Sequence, residues 1–124
     1  MRKYNNFDLH FRFDLKNGKI NFLNAEYVHP LKQELVQEFQ RDFREDGNIK
    51  AAIVFGSGVE FRCNSYSELD LCIERYDVGK AFHYQAGGHD EAVDVLYADQ
   101  IGERLRREIA EKGIVVYDQE GCYV

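Results

Sequence analysis

Positive charge is scarce in this 124-residue chain: 16 lysines and arginines face 22 aspartates and glutamates, a formal net charge of −6. A protein that grips nucleic acid through its phosphates needs a basic surface, because counterion release supplies much of the affinity. The basic cluster Arg104, Arg106 and Arg107 is interleaved with Glu103, Glu108 and Glu111, the pattern of a solvated helix face. Nucleic acid is therefore not an expected partner. Long apolar runs are also missing, and nothing approaches the roughly 20 residues that cross a bilayer. Residues 1–6 make a basic start with no apolar segment behind it, so no signal peptide is expected, no membrane partner, and the cytoplasm is the expected compartment. Cysteine is sparse. Cys63, Cys72 and Cys122 are odd in number and lack both a CxxC pair and disulfide-framework spacing, so reduced and partly buried thiols are expected.

What remains is the composition of an ordinary globular domain, 44% apolar and 31% charged. The length has room for one domain, 1–124, able to fold without disulfides. Phe7, Leu9, Phe11, Phe13 and Leu15 alternate with polar residues, Asn17-Gly18 reads as a two-residue turn, and Ile20 and Phe22 continue the alternation. A β-hairpin extension over 1–29 follows from that pattern. The single proline, Pro30, opens a first helix whose apolar stripe is Leu31, Leu35, Val36, Phe39 and Phe43, with Gly47 as its cap. Residues 51–55 read as a buried strand, 68–73 as a second, 81–84 as a short third and 92–97 as a fourth. Asp99 is placed to cap a second helix with the stripe Ile101, Leu105 and Ile109; Gly113 stops it, and 114–117 form a last strand. The fold class expected is α+β or mixed α/β.

Three features carry chemistry. Gly56-Ser57 ends a buried strand, where a glycine lets backbone approach a ligand and a hydroxyl helps bind phosphate. Glu68 and Asp70 share one face of their strand, with Leu69 and Leu71 on the other. Two carboxylates about 7 Å apart repel unless something positive lies between them, and a divalent cation is the natural candidate. Asp94 is the single acid of an apolar strand, where an unpaired buried carboxylate would be costly. His83, His89 and Asp90 make a weaker ligand set, since tight zinc sites need three or four close donors. His10 and His29 read as structural.

Together these resemble the polymerase-beta-like nucleotidyltransferases, whose fingerprint is Gly-Ser, a spacer, acid-x-Asp and a third Asp on a later strand. Here Ser57 is followed by ten residues, 58–67, then by Glu68-Leu69-Asp70 and later by Val93-Asp94-Val95. That spacing is similar to the minimal bacterial MNT domains often paired with HEPN partners. The resemblance covers about 30–118 and implies a core nucleotidyltransferase fold, a small mixed sheet flanked by helices. It implies transfer of a nucleotidyl group from a nucleoside triphosphate to an acceptor hydroxyl, with Mg²⁺ or Mn²⁺ held by Glu68, Asp70 and Asp94 as the catalytic carboxylates. Gly56, Ser57 and Ser67 would bind the nucleotide, and Asp94 could take the acceptor's proton. It further implies an antitoxin role towards a HEPN-type toxin, in place of the acceptor-binding helical domain of larger relatives. The hairpin could serve a homodimer interface. Position 68 is Glu where the family more often has Asp, and Val59-Glu60-Phe61 stands where many members carry a basic residue and a glycine; Arg62 follows. A catalytically silent binding module is the alternative those positions favour. Transfer to an aminoglycoside-like small molecule, with a partner subunit completing the pocket, is another.

Overall fold

The computed structural model describes residues 12–16, 20–60, 63–64, 66–88 and 92–123. Four strands, β1 (Ile49–Phe55), β2 (Leu69–Arg75), β3 (Val93–Tyr97) and β4 (Ile114–Asp118), form one mixed sheet in the order β3-β2-β1-β4. β1 runs antiparallel to both β2 and β4, whereas β2 and β3 are parallel. Helices α1 (Pro30–Asp46) and α2 (Glu103–Lys112) cover opposite faces. The architecture is mixed α+β.

The two faces follow from the alternation along each strand. Ala52 and Val54 of β1, Leu69, Leu71 and Ile73 of β2, and Val93 and Val95 of β3 pack with Leu35, Val36, Phe39 and Phe43 of α1. Ala51, Ile53, Phe55, Cys72 and Leu96 turn the other way, against Leu105 and Ile109 of α2. β1 is buried along almost its whole length because it is central and covered on both sides, which explains its continuous apolar run. Pro30 opens α1 and Gly47 closes it at φ 74°, a left-handed cap that glycine takes without strain. Gly113 ends α2 for a different reason. Its φ is −73°, but a methyl there would stand 2.6 Å from the Ile109 carbonyl oxygen and overlap the Ile53 side chain, so close packing requires its bareness.

Several expectations are corrected. The described parts of the proposed hairpin, 12–16 and 20–22, lie in no strand; its 7–11 limb and Asn17-Gly18 turn fall outside the described residues. Side chains of α1 take the place of a ladder. The Lys16 N–H donates to Gln33 Oε1 at 2.8 Å, the Asn21 N–H donates to Gln37 Oε1 at 2.7 Å, and Gln33 Nε2 donates to the Asp14 and Val28 carbonyls at 3.0 and 2.9 Å. Residues 81–84 are not a strand either. The segment is an extended loop held by its aromatics, with Phe82 buried on Phe39 and Phe43 and its N–H donating to Tyr97 Oη at 2.9 Å. Asp99 does not cap α2, whose N-cap is Gly102. It pairs with Arg75 through both carboxylate oxygens at 3.1 Å, and Arg75 lies 3.7 Å over the Tyr97 ring. Leu31 is exposed, and the buried positions of that first turn of α1 are Lys32 and Gln33. The thiols are free, with Cys63 and Cys72 buried and Cys122 exposed. No helix among the described residues is long and apolar enough to cross a membrane.

Candidate metal centre

The acids are brought together by strand register. In the parallel pair β2–β3, Asp70 stands directly opposite Asp94, on the sheet face that also carries Cys72 and Leu96. Parallel neighbours are about 4.8 Å apart, so residues in register on one face are forced into proximity. Glu68 precedes Asp70 by two residues and shares its face by the same alternation. One carboxylate oxygen from each of Glu68, Asp70 and Asp94 lies within 4.8 Å of the others. Glu68 and Asp94 are exposed and Asp70 is half-buried, so the group opens to solvent. β3 is an edge strand, which is why Asp94 reaches water although its neighbours Val93 and Val95 pack inward.

Gly56 fixes the inner wall. It begins the 3₁₀ turn Gly56–Val59 at φ 69°, in the left-handed region, and a methyl placed on it would lie 2.5 Å from Asp70 Oδ2. Any side chain here would push the carboxylate away. Phe55, opposite Asp70 across the antiparallel pair, lines the same side. Asp70 is pushed up to about 6, first by burial and then by the charges of Asp94 and Glu68. Among the described residues no lysine or arginine pairs with any of the three acids. Among the described residues the group is therefore a negative pocket without a paired cation.

These residues fit a divalent cation. Magnesium takes carboxylate oxygens at about 2.1 Å, and three carboxylates that each bring an oxygen within 4.8 Å of the others form the hard, oxygen-rich donor set that it prefers. Glu68, Asp70 and Asp94 would be its protein ligands.

Ser57 and Ser67, ten residues apart in sequence, meet in space. Burial pushes the Cys63 thiol up, and Lys32, Ser67 and Ser57 oppose that push. Ser67 is fixed by a tight turn: the Asn64 N–H donates to its Oγ at 3.1 Å, its own N–H donates to the Asn64 carbonyl at 3.1 Å, and the Tyr66 N–H donates to Asn64 Oδ1 at 2.9 Å. Gly56, Ser57 and Ser67 thus all border the acids or the turn that leads into them. Glu60 follows the 3₁₀ turn, its N–H donating to the Ser57 carbonyl at 3.0 Å. Phe61, Arg62, His89, Asp90 and His10 lie outside the described residues. His83 is exposed and belongs to no group of three ligands among the described residues. His29 is structural, as expected: its Nδ1 accepts from the Leu31 N–H at 3.2 Å and caps α1. Two neighbours of this region were not legible in the sequence, Cys63 and Lys32, because one looked like generic core and the other like helix surface. The periodicity that buries Val36 four residues on was the signal for Lys32. Compared with family models, curated proteins and solved structures, the chain matches none.

Proposed function

We propose that the chain is a metal-dependent nucleotidyltransferase with the polymerase-beta-like fold, transferring a nucleotidyl group from a nucleoside triphosphate to an acceptor hydroxyl. The observation that carries this reading is the convergence of Glu68, Asp70 and Asp94 from two register-matched parallel strands beside the Gly56–Ser57 turn. Glu68, Asp70 and Asp94 would hold a divalent ion, which when bound would supply charge stabilisation to the phosphoryl transfer. Gly56 allows Asp70 to lie against the turn, and Ser57 and Ser67 present hydroxyls to the phosphates. Asp94, exposed on the edge strand, takes the acceptor's proton. The acceptor oxygen forms a bond to the α-phosphorus, the bond to the β-phosphate oxygen breaks, and pyrophosphate leaves with the electron pair.

The openness of the acids to solvent suits a macromolecular acceptor, and we infer a protein partner of the HEPN type, with this chain as its antitoxin. Incubation with each α-labelled nucleoside triphosphate, Mg²⁺ or Mn²⁺, and the product of the adjacent gene tests this. Label is expected on the partner, and Asp70→Asn or Asp94→Asn should abolish it. A second reading, a silent module acting by contact alone, is favoured by Glu60, an acid adjoining the phosphate-side turn. Neutralisation of the toxin by wild type and Asp70→Asn alike, with no label transferred, would establish that reading instead.

A further inference from the structure

β3 ends the sheet on one side, and no strand among the described residues lies beyond it. Its ladder with β2 fixes which backbone groups face outward. The Leu69 N–H donates to the Ala92 carbonyl and the Ala98 N–H donates to the Ile73 carbonyl, both at 2.9 Å. Positions 92, 94, 96 and 98 therefore turn their N–H and C=O groups to β2, and Val93, Val95 and Tyr97 turn theirs away. The Tyr97 carbonyl accepts from the Gln100 N–H at 2.9 Å, which closes that end. Val93 and Val95 keep both groups without a protein partner among the described residues. Edges are commonly blunted by bulges, lysine or proline. β3 contains no lysine and no proline, and its pairing with β2 has no register shift, whereas β1 is irregular against both β2 and β4. At the opposite edge the Val115 carbonyl of β4 accepts from Asn24 Nδ2 at 2.8 Å.

The single charged side chain of β3, Asp94, decides what can pair there. It is exposed beside Glu68 and Asp70, and none of the three is paired with a cation among the described residues. Two copies of β3 paired about a two-fold axis would bring their Asp94 carboxylates together, so like charge disfavours a second copy of this chain. An incoming strand must instead bring positive charge to the acid face and apolar residues to the face of Val93 and Val95, which pack towards α1. We propose that β3 takes up an extended segment of the acceptor protein as an added antiparallel strand, its hydroxyl-bearing residue opposite Asp94 and basic residues two positions to either side. Antiparallel pairing makes Val93 and Val95 the hydrogen-bonded pairs and leaves Asp94 in a non-hydrogen-bonded pair, whose Cα atoms stand only about 4.5 Å apart. The hydroxyl is thereby held beside the carboxylate that receives its proton. Alternation puts the basic residues on that same face. This rests on the nucleotidyl-transfer reading and adds how the protein acceptor is held: main-chain pairing supplies affinity and the alternating side chains supply specificity.

The peptide acetyl-Lys-Val-Ser-Val-Lys-amide is the probe, titrated into the full chain while the backbone amides are followed by NMR. The Val93 and Val95 amide resonances are expected to shift and to exchange more slowly with solvent. Methylating both valine nitrogens of the peptide removes the donors that face β3 and should weaken binding at least about tenfold, whereas methylating the serine and second lysine nitrogens, which face away, should not. Exchanging both peptide lysines for glutamate should abolish binding. Val95→Pro loses only an outward N–H, so it should weaken the peptide to the same degree and leave Mn²⁺ binding unchanged. If Val95→Pro does not fold, the methylated peptides carry the test with wild type alone. Equal affinity of the two methylated peptides, or unmoved Val93 and Val95 amides, would overturn the proposal. Shifts of those amides with protein concentration alone would also overturn it and assign the edge to a second copy. Label transferred to the partner protein, with these amides unmoved, would discard the added strand and leave the transfer reading intact. Peptide pairing on β3 in a protein that binds no Mn²⁺ would keep the strand site and discard the transfer reading.

Discussion

At the scale of single residues, Asp70 concentrates the opposing demands on this molecule. Its folded pKa of about 6 lies above the 3.8 of the unfolded chain, so between these values the folded state binds more protons than the unfolded one. Linkage then makes the apo protein lose stability as pH rises through that window, because ionising Asp70 charges a half-buried carboxylate and places it beside Asp94 and Glu68. Thermal melts from pH 4 to 7 should show this decline, and Asp70→Asn should flatten it. Metal binding should strengthen over the same interval, since the ion requires the ionised carboxylate. Gly56 is the second demand. Gly56→Ala meets both an unfavourable φ of 69° and a contact of 2.5 Å with Asp70 Oδ2. It should cost about 1–3 kcal/mol in denaturant unfolding. It should weaken Mn²⁺ binding as well, which a purely structural glycine would not do.

Among the elements, α1 does more than cover the sheet. Its apolar stripe packs on one face of β1 and β2, while Gln33, fully buried, gathers backbone groups from residues 14, 16, 25 and 28. A side-chain amide with several backbone partners takes the place of a strand pairing, and its loss leaves buried donors and acceptors unsatisfied. Gln33→Leu is therefore expected to cost about 2–4 kcal/mol despite its similar volume. Hydrogen exchange should show lost protection at 16 and 25–28, with β1 and β2 unchanged. Equal loss throughout the sheet would show instead that the segment and the sheet unfold as one unit.

For the whole molecule, net charge and the acid site act together. A chain of net charge −6 with three carboxylates in one open group, none paired with a cation among the described residues, is self-repelling there, and a bound cation would relieve it. By mass action, Mn²⁺ with a nucleoside triphosphate should raise the unfolding midpoint, with about 2.7 kcal/mol added at 100 times the dissociation constant. Asp70→Asn should melt at or above apo wild type and show no response to the ligands. A wild-type melting curve indifferent to millimolar Mn²⁺ and every nucleoside triphosphate would remove the basis for the metal centre.

The sequence by itself determined the helices, the four sheet strands and which residues alternate to which face, because these follow from short-range periodicity and from backbone-specific residues such as Pro30 and Gly47. It also named the three acids, since two share one strand face and the third interrupts an apolar strand. Tertiary structure decided what depends on partners far along the chain. Only the register of β2 and β3 puts Asp70 opposite Asp94, and that register is set by packing on both faces of the sheet. Alternation in 12–22 was compatible with a ladder, but Gln33 and Gln37 meet the described backbone donors instead. Asp99 had the position of a cap and took an ion pair with Arg75, 24 residues away, because a charge-assisted contact from one guanidinium nitrogen to both carboxylate oxygens outcompetes one helix N–H. Lys32 was a surface residue by composition and became a buried one, on the side of the first turn of α1 opposite the exposed Leu31, where His29 ties the helix start to the Gly56–Val59 turn.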